Sequence, residues 1–144
     1  MTAVTGHEAL NGVTPRWEAG YWDGVVSGFA EYGGRLAWFH VVAYDVEREP
    51  PPLQCLLYEL TDSEAAMERR RHNLFRKHVG THTDYGATGL RRGKVRPRAE
   101  WRHFYDSGLG RQPSYEDHRV LGWFMLDPDQ GRRRPPSSRR TRSS

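Results

Sequence analysis

Two adjacent glycines, Gly33 and Gly34, separate two β-prone stretches, 25–32 (VVSGFAEY) and 35–45 (RLAWFHVVAYD). A Gly-Gly pair supplies the positive φ angles of a tight two-residue turn, so the segment predicts a β-hairpin. In the second stretch Leu36, Trp38, His40, Val42 and Tyr44 alternate with Ala37, Phe39, Val41 and Ala43. Successive strand side chains point to opposite faces, and here both faces are largely apolar. Such a strand belongs in the middle of a sheet that is covered on both sides.

The flanking sequence extends this hairpin into an α+β domain. Trp22-Asp23-Gly24 reads as a turn opening the sheet, and 46–52 (VEREPPP) as a loop, because three consecutive prolines remove backbone donors. Residues 53–60 (LQCLLYEL) alternate as a third strand. Thr61-Asp62-Ser63-Glu64 matches a capping box, so a helix is expected to follow to about Val79, with Gly80 placed as its C-terminal glycine. Its apolar stripe is thin: positions 67, 71, 74, 75 and 78 read Met, Arg, Leu, Phe and His, and Arg71 would lie along the core margin. Residues 81–98 predict a glycine-rich loop carrying RRGKVRPR. A short helix over 97–106 and a fourth strand over 120–126 (VLGWFML) complete the pattern. The expected architecture is an antiparallel sheet of about four strands with one main helix and a short second helix. Residues 1–15 read as a flexible lead-in, 16–127 as a single domain, and 128–144 as a disordered Arg/Pro/Ser-rich basic tail unable to bury enough surface to fold.

Composition supports a folded middle. Hydrophobic residues make up 36% and mean hydropathy is −0.85, but much of the polarity lies at the two ends. Five Trp, seven Tyr and five Phe sit between them, and each aromatic can bury roughly 150–250 Å². One cysteine, Cys55, excludes an internal disulfide and a cysteine-based zinc finger. The N-terminal residues show no basic-then-apolar secretory pattern, and no apolar run approaches the roughly 20 residues of a membrane helix. The chain therefore reads as cytoplasmic, with no membrane association. Charge divides unevenly: residues 1–68 carry 11 acids and 3 bases, whereas residues 69–103 carry 11 bases and 2 acids. Either the halves pair with each other or the basic half faces an anionic partner.

The stretch from Trp22 to about Tyr85 resembles a family of small bacterial proteins. The shared pattern is aromatic-Asp-Gly, then G-x-A-x-Y-x-G, then an aromatic strand; here it reads Trp22-Asp23-Gly24, Gly28-Phe29-Ala30-Glu31-Tyr32-Gly33-Gly34 and Trp38-Phe39. A Leu-Thr junction into an amphipathic helix follows in that family, as Leu60-Thr61 does here. A proline commonly follows the family's Asp-Gly, where this chain has Val25. The resemblance implies the hairpin and no particular chemistry.

Candidate chemistry gathers near the end of the helix. His78, His82 and Asp84 form a candidate metal or acid–base group, with His72 nearby in sequence; zinc takes three or four such ligands, and His78 and His82 have helical i, i+4 spacing. Gly80 lies between them, and His72 falls on a different helix face from His78. The alternative is that His78 simply caps the helix C-terminus. Arg69, Arg70, Arg91, Arg92, Lys94 and Arg96 form a candidate nucleic-acid surface, with Trp101, Phe104 and Tyr105 close enough in sequence to stack on bases. His40 reads as a core or rim histidine and Cys55 as inert strand packing. No cofactor motif is evident: GLRRGK lacks the length and the hydroxyl residue of a phosphate-binding loop. Three functional classes follow. The first is a non-enzymatic interaction protein binding a protein partner or itself through the aromatic-rich sheet. The others are a nucleic-acid-associated protein using residues 69–102 and the tail, and a small metal-dependent or acid–base enzyme.

Overall fold

The computed structural model describes residues 6–21, 25–44, 53–85, 95–111 and 113–126. The expected turn at 22–24, the loop at 46–52, the stretch 86–94 and the tail 128–144 lie outside the described residues. Elements follow in the order β1 (Thr14–Tyr21), β2 (Val25–Tyr32), β3 (Arg35–Tyr44), β4 (Leu53–Glu59), α1 (Asp62–His78), α2 (Arg98–Asp106) and β5 (Val120–Leu126). This is an α+β fold built on one antiparallel sheet in which the strands lie in sequence order.

The hairpin forms where the paired glycines place it. Gly33 and Gly34 have φ angles of 61° and 78°, and Tyr32 pairs with Arg35 across the turn. β3 takes the middle position, with Leu36, Ala37, Trp38 and Phe39 all buried. The sheet has five strands rather than about four, because Thr14–Tyr21 adds β1 beside β2. Pro15, Gly20 and register shifts along the β1–β2 ladder blur the alternation that would mark this strand in sequence.

One sheet face gathers Ala30, Phe39, Cys55, Leu57, Phe124 and Leu126 into a core against which Leu10 and Val13 pack. Residues 8–10, part of the segment read as a flexible lead-in, run along β5: Leu10 N donates to Trp123 O at 2.8 Å and Trp123 N donates to Glu8 O at 2.9 Å. These bonds tie the segment before the first strand to the last strand. Gly122 allows the approach, since a Cβ there would stand 2.5 Å from Glu8 O and 2.6 Å from Leu10 Cγ. The opposite face carries Trp17, Phe29, Leu36, Trp38, Tyr58 and Leu60, and α1 meets it through Ala65. Among the described residues no helix is long and apolar enough to cross a membrane.

Candidate functional site

The capping box at the start of α1 fixes where the helix sits. Thr61 Oγ1 accepts from Glu64 N at 3.1 Å, and Glu64 Oε1 accepts from Thr61 N at 2.8 Å. From there the face turned inward is not the stripe through Met67 and Arg71, since Met67 is 46% exposed. It runs through Ala65, Glu68, His72, Phe75 and Val79, at alternating spacings of three and four. Glu68 and His72 are the buried residues within α1 itself. Polar groups at a packing surface cost stability unless they are partnered, and both are.

Glu68 accepts a hydrogen bond from the Tyr115 hydroxyl and faces Arg71 Nη1 at 3.6 Å. Burial, and then the neighbouring Glu68 carboxylate, push the Tyr115 phenol well above its ordinary range, so it stays protonated as the donor. His72 Nε2 donates to Asp84 Oδ1 at 2.8 Å, and Asp84 Oδ2 forms an ion pair with Arg76 Nε at 3.2 Å. The His72 ring lies flat on Trp17, with centroids 4.1 Å apart and planes 3° from parallel.

Asp84 reaches His72 because the chain doubles back. After Gly80, residues 81–85 run antiparallel to β1: Glu18 N donates to Thr83 O at 3.0 Å and Tyr85 N donates to Arg16 O at 2.8 Å. That register sets Trp17 opposite Asp84. A second connection, from Arg96 N to Val79 O at 2.7 Å, brings α2 beside the end of α1. Buried Phe104 then meets Phe75 edge-on, with centroids 5.4 Å apart.

Between α1, β1, α2 and the chain after α2 lies a cavity of about 250 Å³. Trp17, Phe29, Phe75 and Phe104 supply aromatic wall; Glu18, Glu68, His72 and His82 supply ionisable groups. Glu18, Glu68 and His72 are each less than a tenth exposed. Buried polar groups beside an aromatic chamber are the usual make-up of a small-molecule pocket.

The residues singled out in the sequence are only partly brought together. Asp84 holds His72, and His82 lines the cavity with its ring 5.4 Å from Phe75. His78 stands apart in the last turn of α1, its ring 6.2 Å from His103. No three His, Cys, Asp or Glu side chains among the described residues meet as a metal-ligand set. Of the basic candidates, Arg69 pairs with Glu31 at 3.3 Å, Arg70 is exposed on α1, and Arg96 is exposed ahead of α2. Arg91, Arg92 and Lys94 lie outside the described residues. His40 stacks on Trp38 and bonds Tyr58 Oη at 2.9 Å, and burial lowers its pKa. Cys55 is fully buried and its thiol is pushed far up by desolvation, which makes it inert.

Glu18, Glu68 and Tyr115 carry no motif. The one sequence signal for Glu68 and His72 is the 65, 68, 72, 75, 79 spacing, which an apolar-only search passes over. Comparison with family models, curated proteins and solved structures gives no match.

Proposed function

We propose that the protein binds a small organic molecule in the chamber beneath α1 and transfers a proton to or from it, with His72 as the transferring group. The observation carrying this is that α1 turns Glu68 and His72, rather than an apolar stripe, toward a cavity. Of the classes left open by the sequence it is the acid–base one, centred on His72 rather than His78.

The chemistry follows from the hydrogen bonds. Asp84 accepts from Nε2, so in the neutral ring the lone pair is on Nδ1. Arg76 holds the Asp84 carboxylate in place, and the flat stack on Trp17 fixes the plane of the ring. A base so oriented is suited to abstracting a proton from a ligand held among the aromatic walls. Glu68 is occupied by Tyr115 and Arg71, which suits it to shaping the chamber.

A fragment screen by NMR tests this on the full chain. Fragments that bind should shift the Trp17 indole resonance and lose binding in Leu109→Trp, which fills the chamber. Bound fragments with an acidic C–H should exchange it with D₂O faster on the native protein than on His72→Gln. Hits that ignore Leu109→Trp would place binding elsewhere. Exchange that is equal in the two proteins would remove His72 from the chemistry.

A further inference from the structure

A second recess lies beside the chamber. An open groove of about 520 Å³ on the outer side of α1 adjoins the chamber: Glu68, Arg71, Leu109, Arg111 and Pro113 line both. Arg70 also lines the groove.

Three arginines, Arg70, Arg71 and Arg111, thus line the groove, and Glu68 is the one carboxylate among the described residues lining it. Glu68 is committed to Arg71 and Tyr115. Among the described residues, the ion pairs that engage arginines involve Arg16, Arg35, Arg69, Arg71, Arg76 and Arg119, and neither Arg70 nor Arg111. Glu64, four residues before Glu68 on α1, is taken by Thr61 and His118. The groove therefore carries an excess of positive charge in the fork geometry that matches carboxylate and phosphate oxygens. Immediately inside stand aromatic walls suited to a flat apolar body.

We infer that the ligand is an aromatic anion, an aryl carboxylate or aryl phosphate. Its ring enters the chamber beside His72, and its charged head is held in the groove by Arg70 and Arg111. The inference rests on the reading of the chamber as a small-molecule site and adds the chemical class of its occupant. Arg71, tied to Glu68, lines both recesses.

The test is an NMR titration of the full chain with four probes: phenyl phosphate, phenylacetate, benzyl alcohol and inorganic phosphate. It is repeated on Arg70→Gln/Arg111→Gln, with an unchanged melting temperature as the check that the variant is folded. Both aromatic anions should shift the Trp17 indole resonance, and the tighter of the two identifies the head group. Their affinity should fall roughly ten- to a hundredfold in the double variant, the range that a charge-assisted hydrogen bond supplies. Benzyl alcohol should bind more weakly than either anion and be indifferent to the variant. Equal binding of benzyl alcohol and the anions, or anion affinity unaffected by the variant, would overturn the anionic assignment while leaving the chamber reading intact. Inorganic phosphate binding as tightly as phenyl phosphate would overturn the joining of the two recesses. Absence of any Trp17 shift with every probe would overturn the chamber reading as well.

Discussion

Replacing Tyr115 with Phe removes one hydroxyl from a place where water has little access. Glu68 is 3% exposed and Tyr115 8% exposed, so the carboxylate that loses this donor is left, among the described residues, with Arg71 at 3.6 Å. A hydrogen bond to a charged group contributes about 1.5–3 kcal/mol, and the expected loss in Tyr115→Phe lies in that range. Glu68→Leu removes the acceptor instead and strands the buried hydroxyl, at about 1–3 kcal/mol. Arg71 is less affected, because its side chain is 21% exposed and keeps access to solvent. The double variant strands neither group, so its loss should fall short of the two single losses added together by at least about 1 kcal/mol. Urea unfolding of the four proteins, followed by tryptophan fluorescence at one pH, measures this directly. Additivity within about 0.5 kcal/mol would refute the reasoning, since it would mean that the two groups do not depend on each other.

Two further outcomes follow from separate parts of the fold. His118 is held by Glu64 at 2.8 Å and Asp117 at 2.7 Å, and these bonds raise its pKa above the ordinary value. Its stabilising effect is therefore full below about pH 6.5 and lost as pH rises through the raised folded value. His118→Gln should flatten that alkaline fall in a pH series of thermal melts, by under about 1 kcal/mol for so accessible a pair, and an unchanged profile would count against the pairing. Gly122→Ala places a Cβ 2.5 Å from Glu8 O, and should push residues 8–10 from β5 at roughly 1–3 kcal/mol. Hydrogen exchange at the Trp123 amide should accelerate, and full protection there would show that the closure tolerates the methyl.

What could be read in the sequence was what local chemistry decides. The Gly33-Gly34 turn, the capping box at Thr61 and Glu64, and the apolar run of β5 each depend on neighbours a few residues away. β1 escaped because its ladder shifts register between Pro15 and Trp17 and again between Glu18 and Gly20, which destroys the period-two signal. The inward face of α1 escaped for a different reason. A search for apolar side chains favours Met67 and Leu74, whereas the helix buries a carboxylate and an imidazole whose partners come from elsewhere. Tyr115 lies 47 residues from Glu68, and Asp84 joins His72 only after the chain has turned back along β1. Pairings of that kind are made by tertiary folding, and no spacing rule announces them.

The strip 81–85 that carries Asp84 has a second consequence. An open sheet edge is a template on which other chains can assemble, and natural proteins blunt such edges with a short covering segment. Here the cover donates from Tyr85 N to Arg16 O and accepts at Thr83 O from Glu18 N, and it also holds the carboxylate that orients His72. Protection from aggregation and assembly of the imidazole–carboxylate pair are thus one event. A molecule whose strip has peeled away leaves β1 open along its edge and takes Asp84 from His72 in the same step, so both depend on the same five residues.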